Sequence, residues 1–533
     1  MKTTRSASGR GRGRPSPPRR HWATGASVGL LAAGVAIAAA QLVAAFVGEL
    51  ASPVVAVGQA AIDLAPGWLK EFAIRRFGQG DKLALLIGIA AVLIVVAVVM
   101  GVGSLRRRWV GFAGLVAFGL IGVLAAVSRP TSDQLSALPS VIGVGAGIAA
   151  LRLLLGEAAP ARSSVIGRSA GGTTRGKLLA FDRRRFLRTG LALGGLAGLA
   201  GVGSVLAGQA TSKAEASRAS LRIPAPLDTP PVARASDLHV TGLSPFYTTN
   251  PTFYRVDTAF IVPKVAAGDW RLRVHGMVDR EIEMDLSQLL HRPLVERDVT
   301  LACVSNQVGG HYIGNARWTG ALLKPILDEA GVHPGADQLV SRSADGFTVG
   351  TPTAVVMDGR DAMLAVAMNG QPLPLAHGFP VRMVVPGLYG YVSATKWVVD
   401  MELTTFGAFD AYWVQRGWAQ QAPIKTESRI DTPRSGHLAA GPIPVAGVAW
   451  AQHRGIERVD VRVDGGPWQV AQLAPEDTVD TWRQWVYRWN ATPGQHMLQV
   501  RATDRTGYTQ TGQEVPPPPN GATGWHTVIV GVG

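Results

Sequence analysis

The sequence has 533 residues, with 52 lysines and arginines against 37 acidic residues, and a formal net charge of +15. The first 210 residues carry a net charge of +17 and the remainder −2. Because the basic residues alternate with long apolar runs instead of lining a polar surface with aromatics, the pattern argues against nucleic-acid binding. A single cysteine excludes an internal disulfide and a Cys-x-x-Cys-His haem attachment.

Five apolar stretches in the first half have the length of membrane spans, since a helix crosses the hydrocarbon in about 20 residues. Spans are predicted at residues 26–47, 83–102, 110–127, 138–155 and 191–206. The fifth is short and is also similar to the core of a signal peptide. Residues 51–66 are apolar but contain Asp63 and two prolines, so an outer loop or a re-entrant segment is predicted there. The sequence thus predicts a basic tail, residues 1–21, and a membrane region, residues 22–208.

The loops between the spans predict an orientation. Lysine and arginine cluster in the tail, in the second loop at residues 106–108, and in the fourth loop, which ends at Arg188. The first and third loops are nearly balanced. Because short cytoplasmic loops are enriched in Lys and Arg, the N-terminus is predicted to be cytoplasmic. Everything after about residue 210 is then expected on the outer side of a cell membrane.

Residues 182–190 resemble a twin-arginine export signal, with paired Arg183 and Arg184 followed by Phe186 and Leu187. An ordinary positive-inside anchor would carry a similar cluster, so both interpretations stay open. Twin-arginine signals export domains that are already folded, often around a cofactor. The export interpretation therefore favours a cofactor in the outer half.

The spans themselves offer few redox groups. No histidine occurs between His21 and His239, so the spans cannot supply paired imidazoles to a b-type haem. They also lack charged residues beyond their edges, which argues against an ion or proton path. We interpret them as an anchor that could also offer a docking surface.

The second half changes character twice. Residues 209–237 are rich in Ala, Ser and Pro without periodicity and are predicted to be a flexible linker. Residues 238–423 mix short strands with short helices, including one that ends at Gly331. Residues 424–533 alternate apolar and polar positions, as around Val459 and Val461, and predict a small β-sandwich.

The single cysteine, Cys303, allows three interpretations. It could be a buried, inert thiol, although the loop residues around it, with Gly309 and Gly310, are unlike an apolar core strand. It could be a nucleophile activated by His311, although the spacing of eight residues fixes no geometry. It could also be a metal thiolate, which is reasonable for one protein ligand when a cofactor brings the remaining soft donors.

Cys303 opens a segment, "CVSNQVGGHYIGNARWTGALLKPIL", that resembles the molybdenum-site segment of the sulfite oxidase family. The resemblance continues through "NPTFYRVDTAF", "GDWRLRVHGMVDR", "PLPLAHGFPVRMVVPGLYGYVSATKWV" and the closing stretch from "RVDVRVDGGPW" to "GWHTVIV", over about residues 238–533. It implies an α+β molybdopterin-binding catalytic domain and a C-terminal Ig-like β-sandwich of the dimerisation type, joined here to an N-terminal α-helical transmembrane region. It also implies an oxidoreductase in which the Cys303 thiolate joins a pterin dithiolene and oxo ligands on molybdenum.

The same resemblance assigns roles to individual residues. Fixed cations hold phosphate by charge-assisted hydrogen bonds, and the candidates are Arg317, Arg382 and Lys396. The groups expected to contact the pterin are Asn250, Phe253, Tyr254, His377, Ser393, Thr395 and Asp345. Arg255 is expected to face the metal, and Tyr389 or Tyr391 to supply a hydroxyl near it. Taken alone, Arg382 or Lys396 would more often be a surface charge, and Trp318 could equally be core packing.

One position departs from the sulfite-oxidising pattern, because Gln307 stands where that pattern has an arginine shortly after the cysteine. Each lost charge-assisted hydrogen bond forfeits roughly 1.5 to 3 kcal/mol, so weaker sulfite binding is expected. The resemblance implies oxo transfer on a small-molecule substrate, electron exchange with a separate protein or membrane carrier, and a homodimer. The alternatives are the same site acting as a reductase, for example of sulfoxides, and a metal-free, membrane-anchored interaction protein.

Overall fold

The structure is a computed structural model of the chain. It describes residues 19–47, 51–66, 69, 72, 81–128, 134–158, 161–167, 174–180, 184, 187–195, 197–199, 213–231, 234–259, 261–434 and 436–533. The chain divides into two compact units, Met1–Thr211 and Ser212–Gly533. Arg183 and Phe186 of the export-signal hypothesis, and the end of the fifth predicted span at residues 200–206, lie outside the described residues.

The described part of the first unit is mainly helical. Its elements are α1 (Arg19–Val47), α2 (Pro53–Leu64), α3 (Asp81–Arg106), α4 (Arg108–Val127), α5 (Leu138–Ala158) and the antiparallel strands β1 (Ala161–Gly167) and β2 (Thr174–Ala180). Four stretches in these helices are long and apolar enough to cross a membrane, namely Trp22–Val47, Ala84–Arg106, Arg108–Val127 and Leu135–Gly156. They coincide with the first four predicted spans.

Residues 51–66, predicted to be an outer loop or a re-entrant segment, contain the 12-residue helix α2. Pro53 occupies its first turn, where the missing N–H is not needed and the fixed φ favours a helix. Pro66 follows the end of the helix. The two prolines therefore mark the boundaries of the helix and do not interrupt it.

Glycines bring α1 and α3 into backbone contact. A Cβ atom added to Gly29 would lie 1.9 Å from the carbonyl oxygen of Ala97, and one added to Gly101 would lie 2.2 Å from that of Gly25. Gly25 and Gly29 have the four-residue spacing that lets helices in membranes pack closely. Along α1 the contact moves from Gly25 to Gly29, whereas along α3 it moves back from Gly101 to Ala97. The two helices therefore run antiparallel.

The second unit starts with a short helix, α6 (Lys213–Ser220), and continues with two five-stranded sheets. One sheet consists of β5 (Leu294–Ala302), β6 (Ile313–Leu322), β9 (Met363–Met368), β10 (Gln371–Pro372) and β11 (Arg382–Val384). Its order is β10-β9-β6-β5, with β11 also paired to β9. The other consists of β3 (Arg271–Gly276), β4 (Ile282–Asp285), β7 (Gln338–Ser343), β8 (Thr348–Pro352) and β12 (Val398–Thr404), in the order β4-β3-β12-β7-β8.

Short helices connect these strands, namely α7 (Leu286–Leu290), α8 (Leu323–Ala330) and α9 (Thr353–Met357). The predicted helix is α8, which buries Leu323, Ile326 and Leu327 and ends at Gly331 in the left-handed conformation, φ 71°. A shared core that includes Trp270 joins both sheets and α8. The arrangement is α+β, as predicted.

The last part of the chain forms two further sheets that pack on a common core. The first contains β13 (Glu427–Thr432), β15 (Gly441–Trp450), β18 (Gln472–Leu473) and β19 (Arg483–Ala491), and the second contains β14 (His437–Leu438), β16 (Ile456–Val463), β17 (Gln469–Val470), β20 (Gly494–Asp504) and β21 (His526–Val532). Val459, Val461 and Trp485 are fully buried in their shared core. These two sheets, called the C-terminal sandwich below, are consistent with the predicted Ig-like sandwich, which stays a prediction.

Buried hydrogen bonds tie this sandwich to the preceding α+β sheets. The hydroxyl of Thr300 in β5 accepts a hydrogen bond of 2.7 Å from the Trp482 backbone N–H. The Thr300 carbonyl accepts one of 3.1 Å from the Gln452 side-chain amide. Its own N–H donates to the Asp480 carbonyl at 3.0 Å. Because Thr300 lies three residues before Cys303, the sandwich supports the strand that leads into the cysteine loop.

Candidate functional site

Cys303 follows the last residue of β5 and begins the loop that leads to β6. Its backbone N–H donates to the Tyr312 carbonyl at 2.9 Å, and its carbonyl accepts from the Asn306 N–H at 3.0 Å. The Asn306 side-chain oxygen accepts from the Tyr312 N–H at 2.8 Å and closes the loop. Cys303 is in no disulfide, and the residue as a whole is partly exposed. The loop therefore presents one fixed sulfur atom at the end of a strand.

The surroundings of Cys303 favour the neutral thiol when no metal is bound. Burial raises the pKa of Cys303, whereas hydrogen bonds with Ser305 and the positive charge of Lys396 lower it in part. A bound metal ion reverses this balance, since a coordinating thiol is deprotonated outright. The influence of Lys396 also shows that this ammonium group lies within electrostatic reach of the sulfur.

Arg382 is a buried cation at the start of β11, with 5% of its surface exposed. It donates to the carbonyls of His377 at 3.2 Å and Ala394 at 3.5 Å, and its guanidinium carbon lies 4.9 Å from the ring centre of Trp318. Its Nε has no hydrogen-bond partner among the described residues, and no described carboxylate forms an ion pair with it. Burial lowers its pKa to about 10. Such a cation is costly unless an anion accompanies it.

Lys396 and Arg255 share one carboxylate. The Lys396 ammonium lies 2.9 Å from Asp257 Oδ2 and 3.2 Å from the Val256 carbonyl, and Arg255 Nε donates to the same Asp257 oxygen at 2.7 Å. Burial lowers the pKa of Lys396 to about 8, although Asp257 acts in the opposite direction. With Arg382, three cations thus face one ionised carboxylate, which leaves the cluster positive. Burial raises the pKa of the nearby Asp345, and hydrogen bonds from Ser343 and from the Phe347 N–H lower it in part.

His377 and Asn250 form a neutral, hydrogen-bonding wall. His377 Nε2 lies 3.1 Å from the Asn250 carbonyl, and burial, followed by the charges of Arg382 and Lys396, lowers the pKa of His377 to about 4. The imidazole is therefore uncharged at neutral pH. The Asn250 side chain accepts from Asn369 at 2.8 Å and donates to the Met368 carbonyl at 3.2 Å.

Aromatic rings pack beside this wall. Phe253 meets Trp318 edge-on at 5.8 Å and His377 edge-on at 5.7 Å, measured between ring centres. Tyr254 stacks on Phe253 at 5.2 Å. The pKa of Tyr254 is raised by burial and by the nearby Cys303, so its hydroxyl stays protonated. The structure thus brings Phe253, Tyr254 and Trp318 to the same place as Cys303 and Arg382.

Arg317 is not part of this cluster. Its guanidinium donates to both oxygens of Asp298, at 2.8 and 2.7 Å, and to the Pro231 carbonyl at 3.0 Å. Asp298 of β5 lies directly opposite Arg317 of β6 in the strand register. Because neighbouring residues of a strand point to opposite faces, Trp318 faces Arg382 and Arg317 faces away. The sequence suggested one shared phosphate site, whereas the structure separates Arg317 from Arg382 and Lys396.

Four predicted hydroxyl groups are already engaged within the protein. Ser393 donates to the Leu388 and Tyr389 carbonyls at 2.9 and 3.0 Å, and the Thr395 hydroxyl lies 2.5 Å from that of Ser341. The Tyr391 hydroxyl donates to the Ala419 carbonyl at 2.7 Å. The Tyr389 hydroxyl accepts from the Lys425 N–H at 3.5 Å, on the side of the sandwich. These residues shape the wall of the site through their backbone and packing.

Three contributing residues were missed in the sequence. Asp257 lies two residues after Arg255 in the quoted "FYRVD". Its role depends on its contact with Lys396, which is distant in the sequence, so the motif alone did not indicate it. Asn369 and Arg429 lie far from the motifs that they support. Arg429 of β13 donates to the Gly310 carbonyl at 2.7 Å, and this contact leaves no signal in the sequence.

The family model that matches this chain covers Cys303, His377, Arg382 and Lys396 of the cluster but begins after Asn250 and Arg255. The model of the oxidoreductase molybdopterin binding domain matches residues 259–413. Mitochondrial sulfite oxidase of Homo sapiens is 31% identical over 341 residues, covering 54% of this chain and 62% of that protein. Sulfite oxidase of Gallus gallus is 30% identical over 291 residues, covering 45% and 62%. Inducible nitrate reductase [NADH] 2 of Glycine max is 27% identical over 314 residues, covering 47% and 35%.

Among solved structures, the sulfane dehydrogenase SoxCD from Paracoccus pantotrophus is similar at 23% identity with a TM-score of 0.48, covering 58% of this chain and 90% of that chain. The chain spans less than two thirds of the length of the curated relatives named above. The match of residues 259–413 to the molybdopterin binding domain, together with the sulfite oxidase relatives, implies a molybdenum cofactor. The relatives of this region include sulfite oxidases.

The described residues fit such a cofactor. Arg382 Nε and Asn306 Nδ2 are buried donors without a partner among the described residues, and a buried donor needs an acceptor. A pterin phosphate is an anion rich in acceptor oxygens, as the positive cluster requires. Cys303 offers one soft ligand of the kind that molybdenum shares with a dithiolene.

Proposed function

We propose that the chain is a membrane-anchored, molybdopterin-dependent oxidoreductase that moves an oxo group to or from a small substrate. The catalytic domain, residues 238–423, lies on the extracytoplasmic side of a cell membrane. The observation that carries the proposal is the buried guanidinium of Arg382, which has no carboxylate partner among the described residues. It lies in the same cluster as Cys303, inside a region that matches a molybdopterin-binding domain.

When bound, the molybdenum cofactor supplies oxygen-atom transfer and two-electron redox chemistry. Cys303 holds the metal through its sulfur. Arg382 and Lys396 hold the phosphate of the pterin. His377, neutral at pH 7, and Asn250 offer hydrogen bonds to the edge of the ring.

Gln307 and Arg255 set the substrate preference in this proposal. Gln307 is an exposed, neutral side chain in the Cys303 loop, at the place of an arginine in the sulfite-oxidising pattern. The Arg255 guanidinium is already engaged by Asp257 at 2.7 Å. An oxyanion with two charges is therefore held less strongly than in a site with two free arginines. These features favour a substrate with less charge, and they keep the reductase direction, for example on a sulfoxide, as the second candidate.

The proposed topology rests on the four apolar helices and on the distribution of positive charge. Arg106 and Arg107 connect α3 to α4 on the side predicted to be cytoplasmic. The described helices could then anchor the second unit to the membrane. A separate electron-transfer protein or a membrane carrier exchanges electrons with the cofactor, and the C-terminal sandwich, proposed to be Ig-like, joins two copies of the chain.

Metal analysis of the full chain tests the proposal. The chain is produced in cells that make the pterin cofactor, and molybdenum, pterin and the Mo(V) resonance are measured for the wild type and for Cys303→Ser. We expect near-stoichiometric molybdenum in the wild type and an altered or absent resonance in the variant. Turnover with soluble electron donors and acceptors separates oxidation from reduction. A metal-free wild type that is indistinguishable from Cys303→Ser would instead support the interaction-protein alternative.

A further inference from the structure

The helices of the first unit line a partly open, apolar cavity of about 190 Å³. One water needs only ~10–15 Å³, so the cavity has room for a group the size of a ring. Its lining includes several small residues, namely Gly29, Ala32, Ala36, Ala97, Gly119 and Gly143. None of the described residues that line it is charged. The cavity is therefore suited to a neutral, apolar ligand.

Two polar side chains of the cavity, Gln41 and Ser140, lie toward one end. Ser104 also lines the cavity, toward the other end, and its hydroxyl donates to the Met100 carbonyl at 2.6 Å. A Cβ atom added to Gly143 of α5 would lie 2.8 Å from the Cβ of Ala40 in α1, and one added to Gly122 of α4 would lie 2.8 Å from the Ser140 hydroxyl. Ser140 lies one turn before Gly143, and Gln41 follows Ala40. Gln41 and Ser140, which both line the cavity, thus lie near the end where α1 and α4 finish and α5 begins.

The hydroxyl of Ser140 has no hydrogen-bond partner among the described residues, although only 3% of Ser140 is exposed. A hydroxyl in the first turn of a helix usually finds an acceptor, and an unpaired one in an apolar environment is unfavourable. An occupant of the cavity that carries an acceptor oxygen would satisfy it. The Gln41 amide offers further donors at the same end.

We propose that this cavity binds the ring of an isoprenoid quinone, which is the membrane carrier that exchanges electrons with the molybdopterin domain. A quinone combines an apolar ring with carbonyl oxygens that only accept hydrogen bonds, and Ser140 and Gln41 supply donors for such oxygens. A lipid acyl chain would fill the apolar space but would leave the Ser140 hydroxyl unpaired. The inference rests on the proposed function, which requires an electron acceptor or donor outside the second unit.

The stoichiometry balances with this carrier. In the oxidising direction, the substrate gains one oxygen atom from water, and its two electrons with two protons convert the quinone to the quinol. In the reductase direction, the quinol is the donor and the same atoms move in reverse. Under the proposed topology, the end of the bundle that carries Gln41 and Ser140 is the extracytoplasmic end, because α1 begins on the cytoplasmic side.

Photolabelling tests the site directly. The full chain in phospholipid nanodiscs is irradiated with an azido-ubiquinone analogue, and labelled peptides are identified by mass spectrometry. We expect labelling on α1 and α5 near Gln41 and Ser140, and competition by decylubiquinone. The double variant Gln41→Leu with Ser140→Ala should reduce specific labelling at least about fivefold, the effect of losing two hydrogen bonds. Ser27→Ala is the matched control, because Ser27 is exposed and its hydroxyl donates to the Ala23 carbonyl at 3.0 Å.

The labelling experiment is independent of the metal, so it is repeated with Cys303→Ser. Three results would overturn the quinone site. The label could resist displacement by decylubiquinone, it could be displaced equally well by phospholipid, or it could persist in the double variant. In that case, molybdenum in the wild type and turnover with a soluble acceptor would still support the proposed function. Competed labelling in a chain that never binds molybdenum would support the site and reject the proposed function.

Discussion

The guanidinium of Arg429 donates a hydrogen bond of 2.7 Å to the carbonyl of Gly310, seven residues after Cys303. Arg429 belongs to the first strand of the C-terminal sandwich, and its Nε donates to Asp431 at 2.6 Å. Both side chains are almost fully buried, with 5% and 1% exposed. The sandwich therefore fixes the far end of the loop that presents the sulfur.

Replacing Arg429 should disturb both stability and the metal environment. Arg429→Met leaves Asp431 buried without its partner, so we expect a loss of about 3 to 5 kcal/mol in the free energy of unfolding, measured by denaturant titration. We also expect a shifted Mo(V) resonance, because the Cys303 loop loses an anchor. Arg273→Met is the control, since the Arg273 and Glu281 side chains are 47% and 54% exposed and exposed pairs contribute roughly 0 to 1 kcal/mol. An unchanged resonance in a folded Arg429→Met chain would contradict the positioning role.

Arg382 and Arg317 should respond in opposite ways to the same substitution. Arg382→Met removes a buried charge that lacks a carboxylate partner, so the cofactor-free chain should be as stable as the wild type or more stable. Arg317→Met leaves the buried Asp298 without its partner and should cost about 3 to 5 kcal/mol. Bound molybdenum and pterin, measured per chain, should fall at least about tenfold in Arg382→Met. Full cofactor retention in Arg382→Met would contradict the phosphate assignment.

His377 should make stability depend on pH. Its pKa is lowered from 6.5 to about 4 by burial and nearby cations, so between these values the unfolded chain binds more protons than the folded chain. The contribution of His377 to the free energy of unfolding is therefore complete above about pH 6.5. It falls by on the order of 3 kcal/mol as the pH decreases to about 4. The comparison uses unfolding of the cofactor-free chain from pH 7 to pH 4. His377→Gln should show a weaker dependence, with the remainder coming in part from His526, whose pKa burial also lowers to about 4. His239→Gln, at a side chain 82% exposed, should keep the full dependence. If the free energy of unfolding changed equally with pH in both variants, the pKa of His377 would not be lowered in the folded chain.

Gln307→Arg should improve the use of sulfite. The side chain is exposed in the loop after Cys303, so the substitution should fold without cost. One added charge-assisted hydrogen bond to the oxyanion corresponds to roughly a tenfold or greater gain in kcat/KM for sulfite. Gln513→Arg adds the same charge at an exposed position of the sandwich and should leave kcat/KM unchanged. An equal gain in both variants would point to the net charge of the chain, and no gain in Gln307→Arg would mean that position 307 does not face the substrate.

The sequence motifs predicted much of the cluster, because their order along the chain already identified Cys303, Arg382 and Lys396. Side-chain direction was harder to predict. Arg317 and Trp318 are neighbours in one motif, yet strand pleating sends them to opposite faces, and the pairing of Arg317 with Asp298 depends on the register of β5 and β6. A sequence does not show that register.

Long-range contacts could not be predicted from the sequence either. Asp257 and Lys396 are separated by 139 positions, and Arg429 and Gly310 by 119, so only the folded chain brings each pair together. In the first half, the length of the apolar runs predicted five spans. The first four coincide with helices long enough to cross a membrane, and the fifth lies partly outside the described residues. The short helix α2 was missed because its two prolines were interpreted as breaks, although they stand at its ends.

The hydrogen bonds of Thr300 with Trp482, Gln452 and Asp480 limit how this protein can be dissected. A fragment cut at residue 423 would expose these three bonding groups to water and would free the Gly310 carbonyl as well. A design that transfers the α+β sheets into another protein must therefore include the last hundred or so residues, because the two parts are stabilised together.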